Sequence, residues 1–258
     1  MRQVPGGGLA DALGASSGGL ISLVGGGGKT TALYRLVGEW RGRGLRAFAA
    51  TTTRIAVPEP GEPELRLAET WEALHHVVQT RSKHPVVLGR RVLSEGKVEG
   101  LPPEWCSRIF AEGLAKALAV EADGAARLPV KAPAPWEPVV PAATTVFVAV
   151  VGLSCLGKPL DGNNAFRPAR VGEAAGLSWG EAIGTGSLVR LLRAPQGLAK
   201  GCPPGAAAVA LLNQADGPKG VADARAVAQG LLEPGGLYDR VVAASLRTEP
   251  PVRAVWLR

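Results

Sequence analysis

Short apolar runs alternate along the chain with longer segments of mixed polarity. Continuous apolar runs are typical of strands that are buried on both faces of a sheet. They predict strands over residues 20–24, 45–53, 117–121, 146–151, 207–212, 240–244 and 252–256. Between these runs, apolar residues recur at helical spacing, as Leu33, Leu36, Val37 and Trp40 do within residues 31–40. Further helices are predicted over residues 69–80, 101–116 and 221–232, with one or two more within 171–193.

Strands that alternate with helices indicate an α/β fold with three layers, in which a largely parallel sheet carries helices on both faces. Two segments interrupt the alternation. A proline-rich loop with Pro58, Pro60 and Pro63 follows the second predicted strand. Residues 84–100 then predict a small β-hairpin insertion around a polar turn at 94–96. Because no repeat or linker divides the chain, we interpret residues 1–258 as a single domain.

The first predicted strand ends in four consecutive glycines, which lead directly into Lys29 and the following helix. Glycine lets the backbone turn sharply and brings N–H groups close to an anion, and the helix N-terminus adds partial positive charge. This order of strand, glycine loop and helix predicts a phosphate-binding loop of the P-loop type. The predicted nucleotide-binding residues of this loop are Gly25, Gly26, Gly27, Gly28, Lys29, Thr30 and Thr31.

Lys29 is expected to be exposed and to reach the β- and γ-phosphates, and the Thr30 hydroxyl is expected to ligate Mg²⁺. The loop is shorter than the GxxxxGK[ST] pattern, whose first glycine would fall at Leu23. A flexible glycine turn with a solvated lysine is the alternative interpretation.

Polar residues also follow two other predicted strands. Thr51 to Thr53 end the second strand, and Glu121, Asp123 and Gly124 end the strand at 117–121. Mg²⁺ prefers such oxygen ligands, and ligands of α/β sheets bind at the carboxyl ends of the strands. The predicted metal ligands are Thr30, Thr52, Glu121 and Asp123, and the predicted catalytic residues are Lys29, Glu121, Asp123 and Arg127. Gly124 could offer its N–H to the γ-phosphate. Ordinary capping by the threonines and a solvated Asp-Gly turn are the alternatives.

A polar, proline-rich stretch over residues 123–141 joins two buried strands. Its Arg127, Lys131 and Glu137 are candidates to meet a second substrate or the transferred phosphate. Because proline stiffens a chain, a rigid surface loop is the alternative interpretation.

The late segment 213–216 resembles the N-K-x-D element of GTPases. In that element, the position of Asp216 accepts hydrogen bonds from guanine, and the position of Asn213 holds neighbouring loops. Gln214 replaces the lysine that usually covers the base. We therefore predict base recognition by Asn213 and Asp216, with GTP slightly ahead of ATP, and a plain strand-end turn as the alternative.

Composition and charge narrow the function further. Lys and Arg number 29 against 22 Asp and Glu, and this net charge of +7 suits an anionic ligand. The basic residues are scattered, so a nucleic-acid partner is not expected. The sequence has no membrane-length apolar run and no secretory leader, and its three cysteines are far apart, which together predict a cytoplasmic protein. His75, His76 and His84 lack metal-site spacing and are interpreted as surface or packing residues.

Several of these motifs together resemble the YqeC-type family, over about residues 20–217. The segments that carry the resemblance are 24–31, 51–55, 121–133, 137–141, 151–159 and 213–216, and the Glu-Ala-Asp-Gly block at 121–124 is the most specific of them. The family pattern commonly has histidine where this chain has Trp136 and Phe166. Family members are described as accessory proteins of selenium-dependent molybdenum hydroxylases, so the resemblance implies such an enzyme, or its cofactor-insertion machinery, as a partner.

Three functions remain open on the sequence. The first is a Mg²⁺-dependent nucleotide-binding NTPase that assists maturation of a molybdenum hydroxylase or its cofactor. The second is an NTP-dependent transferase or ligase that acts on a small acid or a pterin. The third is a module that binds a nucleotide or a pterin dinucleotide without turnover.

Overall fold

A computed structural model describes residues 1–4 and 7–258 of the protein. Strands and helices alternate through most of these residues. The strands are β1 (Arg2–Val4), β2 (Gly19–Gly25), β3 (Ala47–Thr51), β4 (Arg54–Ala56), β5 (Glu64–Leu67), β6 (Val86–Gly89), β7 (Arg91–Val92), β8 (Lys97–Glu99), β9 (Ala117–Glu121), β10 (Val130–Lys131), β11 (Val146–Gly152), β12 (Ala165–Phe166), β13 (Ala207–Asn213), β14 (Arg240–Ala244) and β15 (Val252–Leu257). The helices are α1 (Leu9–Ala12), α2 (Lys29–Gly42), α3 (Trp71–Gln79), α4 (Pro103–Ala111), α5 (Pro168–Ala175), α6 (Thr185–Arg193) and α7 (Gly217–Leu231), with a 3-10 turn at Leu153–Cys155.

Within the described residues, ten strands form one central sheet in the order β1-β15-β14-β13-β11-β2-β9-β3-β6-β5. The strands from β14 to β5 in this order run parallel. At the other edge β15 runs antiparallel to β14, and β1 pairs antiparallel with β15. The glycine-ended strand β2 lies in the middle of the sheet, directly between β9 and β11. The carboxyl ends of β2, β9, β3 and β13 therefore lie along one edge, which is where ligands bind in such sheets.

Helices cover both faces of this sheet, as the three-layer prediction requires. Alternate residues of each strand point to opposite faces. On β2, Ile21 and Leu23 pack into a core with α1 and α2, whereas Leu20 packs with α3 and α4 on the other face. On β11, Phe147, Ala149 and Val151 pack on that second face against α5, α6 and α7. The buried runs in the sequence are thus strands enclosed on both sides.

The structure corrects the sequence-based elements in four places. Part of the predicted hairpin, β6, lies in the central sheet beside β3, and only β7 and β8 form a hairpin, which β4 extends to three strands. Strand β5 lies in the segment interpreted as a proline-rich loop. The helix predicted over 101–116 is shorter, because Gly113 adopts φ +67 and ends it. The short elements β1 and α1 were not predicted at all.

Candidate nucleotide-binding site

The glycine loop between β2 and α2 has a backbone that only glycine fits. Gly25, Gly27 and Gly28 adopt φ values of +96, +79 and +131, a region that L side chains rarely enter. A Cβ on Gly27 would lie 2.2 Å from the backbone nitrogen of Gly152 at the end of β11. The loop is therefore pressed against the neighbouring strand, and the first N–H groups of α2, which have no partner inside the helix, are left for an anion.

Lys29, the first residue of α2, lies folded back into this loop. Its Nζ donates a hydrogen bond to the Gly25 carbonyl at 2.5 Å, and it lies 3.2 Å from Asp123 Oδ1 and 3.6 Å from Glu121 Oε1. The expectation of an exposed lysine is wrong, since Lys29 is only 4% exposed. Burial alone would lower its pKa, but Asp123 and Glu121 outweigh burial and raise the pKa above its usual value. The ammonium charge is thus held in place, at the start of the helix, next to the cleft.

Thr30 and Glu121 meet across the loop. The Thr30 hydroxyl donates to Glu121 Oε2 at 2.7 Å, and both side chains line the open cleft at the sheet edge. Glu121 is placed there by the register of β9, which pairs it with Leu23 of β2 and Thr51 of β3. Burial raises the pKa of Glu121, and the nearby Lys29 and Thr30 reduce that effect. A hydroxyl and a carboxylate oxygen this close together form a donor set that suits Mg²⁺.

Asp123 lies behind the loop instead of on the cleft wall, and it is only 1% exposed. Both of its carboxylate oxygens accept the Gly25 N–H at 3.1 Å, and they lie 3.2 Å from Lys29 and 3.0 Å from Lys131. These contacts fix the phosphate loop in position and occupy the carboxylate. The geometry thus suits Asp123 to positioning the loop.

A chain of buried charges continues from Asp123 to the far side of the cleft. Lys131 is 0% exposed, and its Nζ lies 2.7 Å from both the Gly124 carbonyl and Glu137 Oε2. Glu137 also accepts hydrogen bonds from the Arg167 guanidinium at 2.5 and 3.2 Å. Burial alone would raise the pKa of Glu137, but Arg167 and Lys131 outweigh it and lower the pKa to about 2. Lys131 is therefore a buried ion-pair residue, whereas Glu137 reaches the cleft.

The end of β13 closes the opposite side of the phosphate loop. The Asn213 side chain donates to the Gly27 carbonyl at 2.7 Å and accepts the Leu246 N–H at 3.0 Å, so it ties the phosphate loop to the loop after β14. Asp216 is exposed in the cleft, and its Oδ1 accepts the Ser245 hydroxyl at 2.6 Å. Its second oxygen is not used in that bond.

The remaining predicted site residues are divided between the cleft and its surroundings. Thr31, Gly124 and Arg127 line the cleft. Thr52 does not, because its hydroxyl donates to the Val139 carbonyl at 2.6 Å. Within residues 1–4 and 7–258, no three histidine, cysteine or acidic side chains form a metal-binding group.

The cleft has a volume of about 1730 Å³. Residues with strained backbone conformations line it. Ala126, Arg127, Arg167 and Gln214 are the non-glycine residues with positive φ in the described part of the chain, at +46, +62, +60 and +61, and all four line the cleft. Each such residue costs about 1–3 kcal/mol, and strain of this kind collects at functional sites.

Several cleft residues were not among the site residues predicted from the sequence. Trp136, Ser154, Phe166, Arg167 and Arg247 line the cleft. Ser154 lies two residues after the end of β11, so the rule that strand ends carry ligands could have found it. Trp136 and Arg247 lie outside the helices and strands, and Phe166 ends the two-residue strand β12 just before Arg167, so long-range packing sets their positions. Among the described residues, every helix is too short or too polar to span a lipid bilayer.

The central parallel sheet, the covering helices and the glycine loop ahead of α2 define a three-layer α/β protein of the P-loop NTPase type. The family model described as YqeC protein matches residues 21–169. The chain is also 30% identical over 195 residues to a protein of Escherichia coli (strain K12) named "Uncharacterized protein YqeC", covering 76% of this chain and 75% of that one. The chain belongs to the YqeC family. No solved structure matches the chain.

Proposed function

We propose that this protein binds a nucleoside triphosphate together with Mg²⁺ in the cleft and hydrolyses its terminal phosphate. The observation that carries the proposal is the pair formed by the Thr30 hydroxyl and the Glu121 carboxylate, 2.7 Å apart, beside a glycine loop and a helix N-terminus. This is the chemistry that a magnesium triphosphate needs: hard oxygen ligands next to backbone N–H donors.

In this proposal, the loop residues bind and orient the phosphates. Lys29 moves its ammonium group from the Gly25 carbonyl to a phosphate oxygen, a short displacement because the group already lies at the loop. Thr30 and Glu121 hold Mg²⁺, which when bound neutralises charge that develops on the phosphates. Asp123 keeps the loop in shape through Gly25. Arg127 lines the cleft wall, and we propose that its guanidinium pairs with the phosphoryl group or with an acidic group of a second ligand.

Asn213 and Asp216 are proposed to face the base. The exposed carboxylate of Asp216 is suited to accept the two N–H donors of guanine, so GTP is the favoured nucleotide and ATP the alternative. A site built around such a carboxylate rejects a base that cannot satisfy it.

In the cell, we propose that this activity supports maturation of a molybdenum hydroxylase, selenium-dependent or not, or of its cofactor. The support for this role is the resemblance of the Glu-Ala-Asp-Gly block and its companion motifs to proteins described in those terms. The protein would act in the cytoplasm, with the hydroxylase or its cofactor-insertion machinery as partner.

The size of the cleft favours a second candidate, an NTP-dependent transferase or ligase. Its volume of about 1730 Å³ exceeds the range of about 300–1,000 Å³ that is common for a pocket holding one small ligand. In this candidate, Arg127 and Glu137 would meet a second substrate.

Product analysis tests the proposal. The wild type should release phosphate from GTP or ATP only when Mg²⁺ is present. Glu121→Gln should raise the Mg²⁺ concentration at half-maximal rate, because the metal loses an anionic ligand. The control is Glu112→Gln, which removes an exposed carboxylate that pairs with Arg108 on the surface. Phosphate release that depends on a second substrate would favour the transferase, and tight binding with no release would favour a binding module. Equal Mg²⁺ dependence in both variants would contradict the metal site.

A further inference from the structure

One exposed tryptophan stands out among the residues that line the cleft. Trp136 is 75% exposed and lines the cleft wall. An aromatic ring on a cleft wall is suited to stack on a planar ligand, since aromatic rings dominate the energetics of ligand and protein interfaces.

The backbone that carries Trp136 is fixed on both sides. Before it, the Lys200 ammonium donates to the carbonyls of Ala134 and Pro135 at 2.8 and 2.9 Å. After it, Glu137 is bound by Lys131 and Arg167, and its N–H donates to the Ala134 carbonyl at 3.0 Å. The ring is therefore presented on a turn that loses little freedom when a ligand stacks on it, and such preorganisation favours binding.

A second aromatic residue lies at the same end of the cleft. Phe166 comes directly before Arg167, just as Trp136 comes directly before Glu137, and the ion pair between Arg167 and Glu137 therefore joins the two segments that carry these rings. Both rings line the cleft, and the Arg167 guanidinium lies 4.5 Å from the centre of the Phe166 ring.

A basic side chain on the cleft wall that has no ion-pair partner among the described residues favours an anionic ligand. The positive charge of Arg167 is already balanced by Glu137. Arg127 is exposed on the cleft wall, and within the described part of the chain it forms no ion pair, so its guanidinium is available to a ligand. The volume of the cleft leaves room for a ligand besides a nucleotide.

We infer that the Trp136–Phe166 end of the cleft is a second binding site, which takes a small planar aromatic or heteroaromatic compound with a carboxylate or phosphate group. The ring stacks on Trp136, and the acidic group pairs with Arg127. The inference rests on the proposed function only in that the nucleotide occupies the phosphate loop. A small ligand is favoured over a protein partner because both rings line a cleft and do not form a continuous outer surface.

The test uses flavin mononucleotide as the planar anionic probe and riboflavin as the same ring without phosphate, with binding followed by flavin fluorescence anisotropy. Trp136→Leu should weaken binding of both probes about tenfold, the size expected from about 1–3 kcal/mol for one stacked ring. The matched control is Trp179→Leu, because Trp179 is 71% exposed but does not line the cleft, and it should bind as the wild type does. Arg127→Gln should weaken the phosphorylated probe more than riboflavin.

Each probe is measured with and without a saturating non-hydrolysable nucleotide and Mg²⁺, and again with Lys29→Met. Probe binding that persists beside the nucleotide, and in Lys29→Met, supports a separate site even if the protein hydrolyses nothing. Three results would overturn the inference. The nucleotide displaces the probe, or Lys29→Met by itself abolishes probe binding, or the Trp136→Leu and Trp179→Leu proteins bind the probes with equal affinity. A wild type that binds neither probe would also overturn it.

Discussion

Asp123→Asn tests whether the buried ion pairs behind the phosphate loop hold it in shape. The substitution keeps the size of the side chain and one oxygen that can accept the Gly25 N–H. It removes the negative charge that lies 3.2 Å from Lys29 and 3.0 Å from Lys131. The two buried ammonium groups then keep only their second carboxylates, Glu121 and Glu137.

The size of the effect follows from burial. At an effective dielectric constant of about 20, each of these contacts corresponds to about 5 kcal/mol of Coulomb attraction, which is largely offset by the cost of removing the ions from water. Removing one partner of a buried pair costs about 3–5 kcal/mol. Because each lysine keeps another carboxylate, we expect the lower end of this range, about 3 kcal/mol. For a slope of about 2–3 kcal/mol per molar urea, the unfolding midpoint should fall by about 1–1.5 M.

The assay is equilibrium urea unfolding of the wild type, Asp123→Asn and Asp223→Asn. Asp223 forms a 2.6 Å ion pair with Lys219 on the outside of α7, so the same chemical change is made where water surrounds the pair. An exposed pair of this kind contributes about 0.3–0.5 kcal/mol. A loss below about 1 kcal/mol in Asp123→Asn, or similar losses in both variants, would refute the argument that the buried charges stabilise the loop.

Three other predictions follow from single residues. Above pH 4.5 the wild type should be more stable than Glu137→Gln by about 1–3 kcal/mol. This difference should shrink as the pH falls towards 2, because protonation of Glu137 removes the stabilising charge that its lowered pKa reflects. Urea unfolding between pH 6 and 3 measures the difference, and a difference that does not change with pH would contradict the prediction. Gly27→Ala should lower the free energy of unfolding by about 1–3 kcal/mol more than Gly205→Ala does in urea unfolding. Both glycines have positive φ, but only a Cβ on Gly27 would clash with backbone atoms. Equal losses would argue against a tightly packed loop. Asp216→Asn should weaken GTP and improve xanthosine triphosphate in competition binding, whereas equal affinity for GTP, ATP and CTP would remove its role in base recognition.

The sequence predicted those parts of the molecule that depend on neighbouring residues. The strand, the glycines and Lys29 are contiguous, so the loop before α2 could be predicted, and the strand-end rule placed Glu121 at the right sheet edge. The prediction did not include the burial of Lys131 or its pairing with Asp123 and Glu137, because a buried lysine follows no apolar periodicity.

The missed strands have similar causes. The four residues of β5 alternate polar and apolar side chains, as an edge strand does, but the run is too short to outweigh the several prolines just before it, which favour a loop. Strand β6 precedes a true hairpin, and only its long-range pairing with β3 assigns it to the central sheet. The segments that carry Trp136 and Phe166 are likewise joined by the ion pair between Glu137 and Arg167, and no local pattern predicts such a contact.

The central claim is that the glycine loop and Lys29 bind a magnesium nucleotide, and isothermal titration calorimetry tests it most directly. Mg²⁺ with GTP or ATP is titrated into the wild type, Lys29→Met, and the control Lys83→Met, which changes an exposed lysine outside the cleft. Because Lys29 is buried, urea unfolding must first show that the variant is folded, and Thr30→Val serves as a second loop variant. We predict saturable binding by the wild type and Lys83→Met, and at least tenfold weaker binding by both loop variants, about 1.4 kcal/mol or more. Wild-type affinity in folded Lys29→Met and Thr30→Val, or no binding of either nucleotide by the wild type, would contradict the claim.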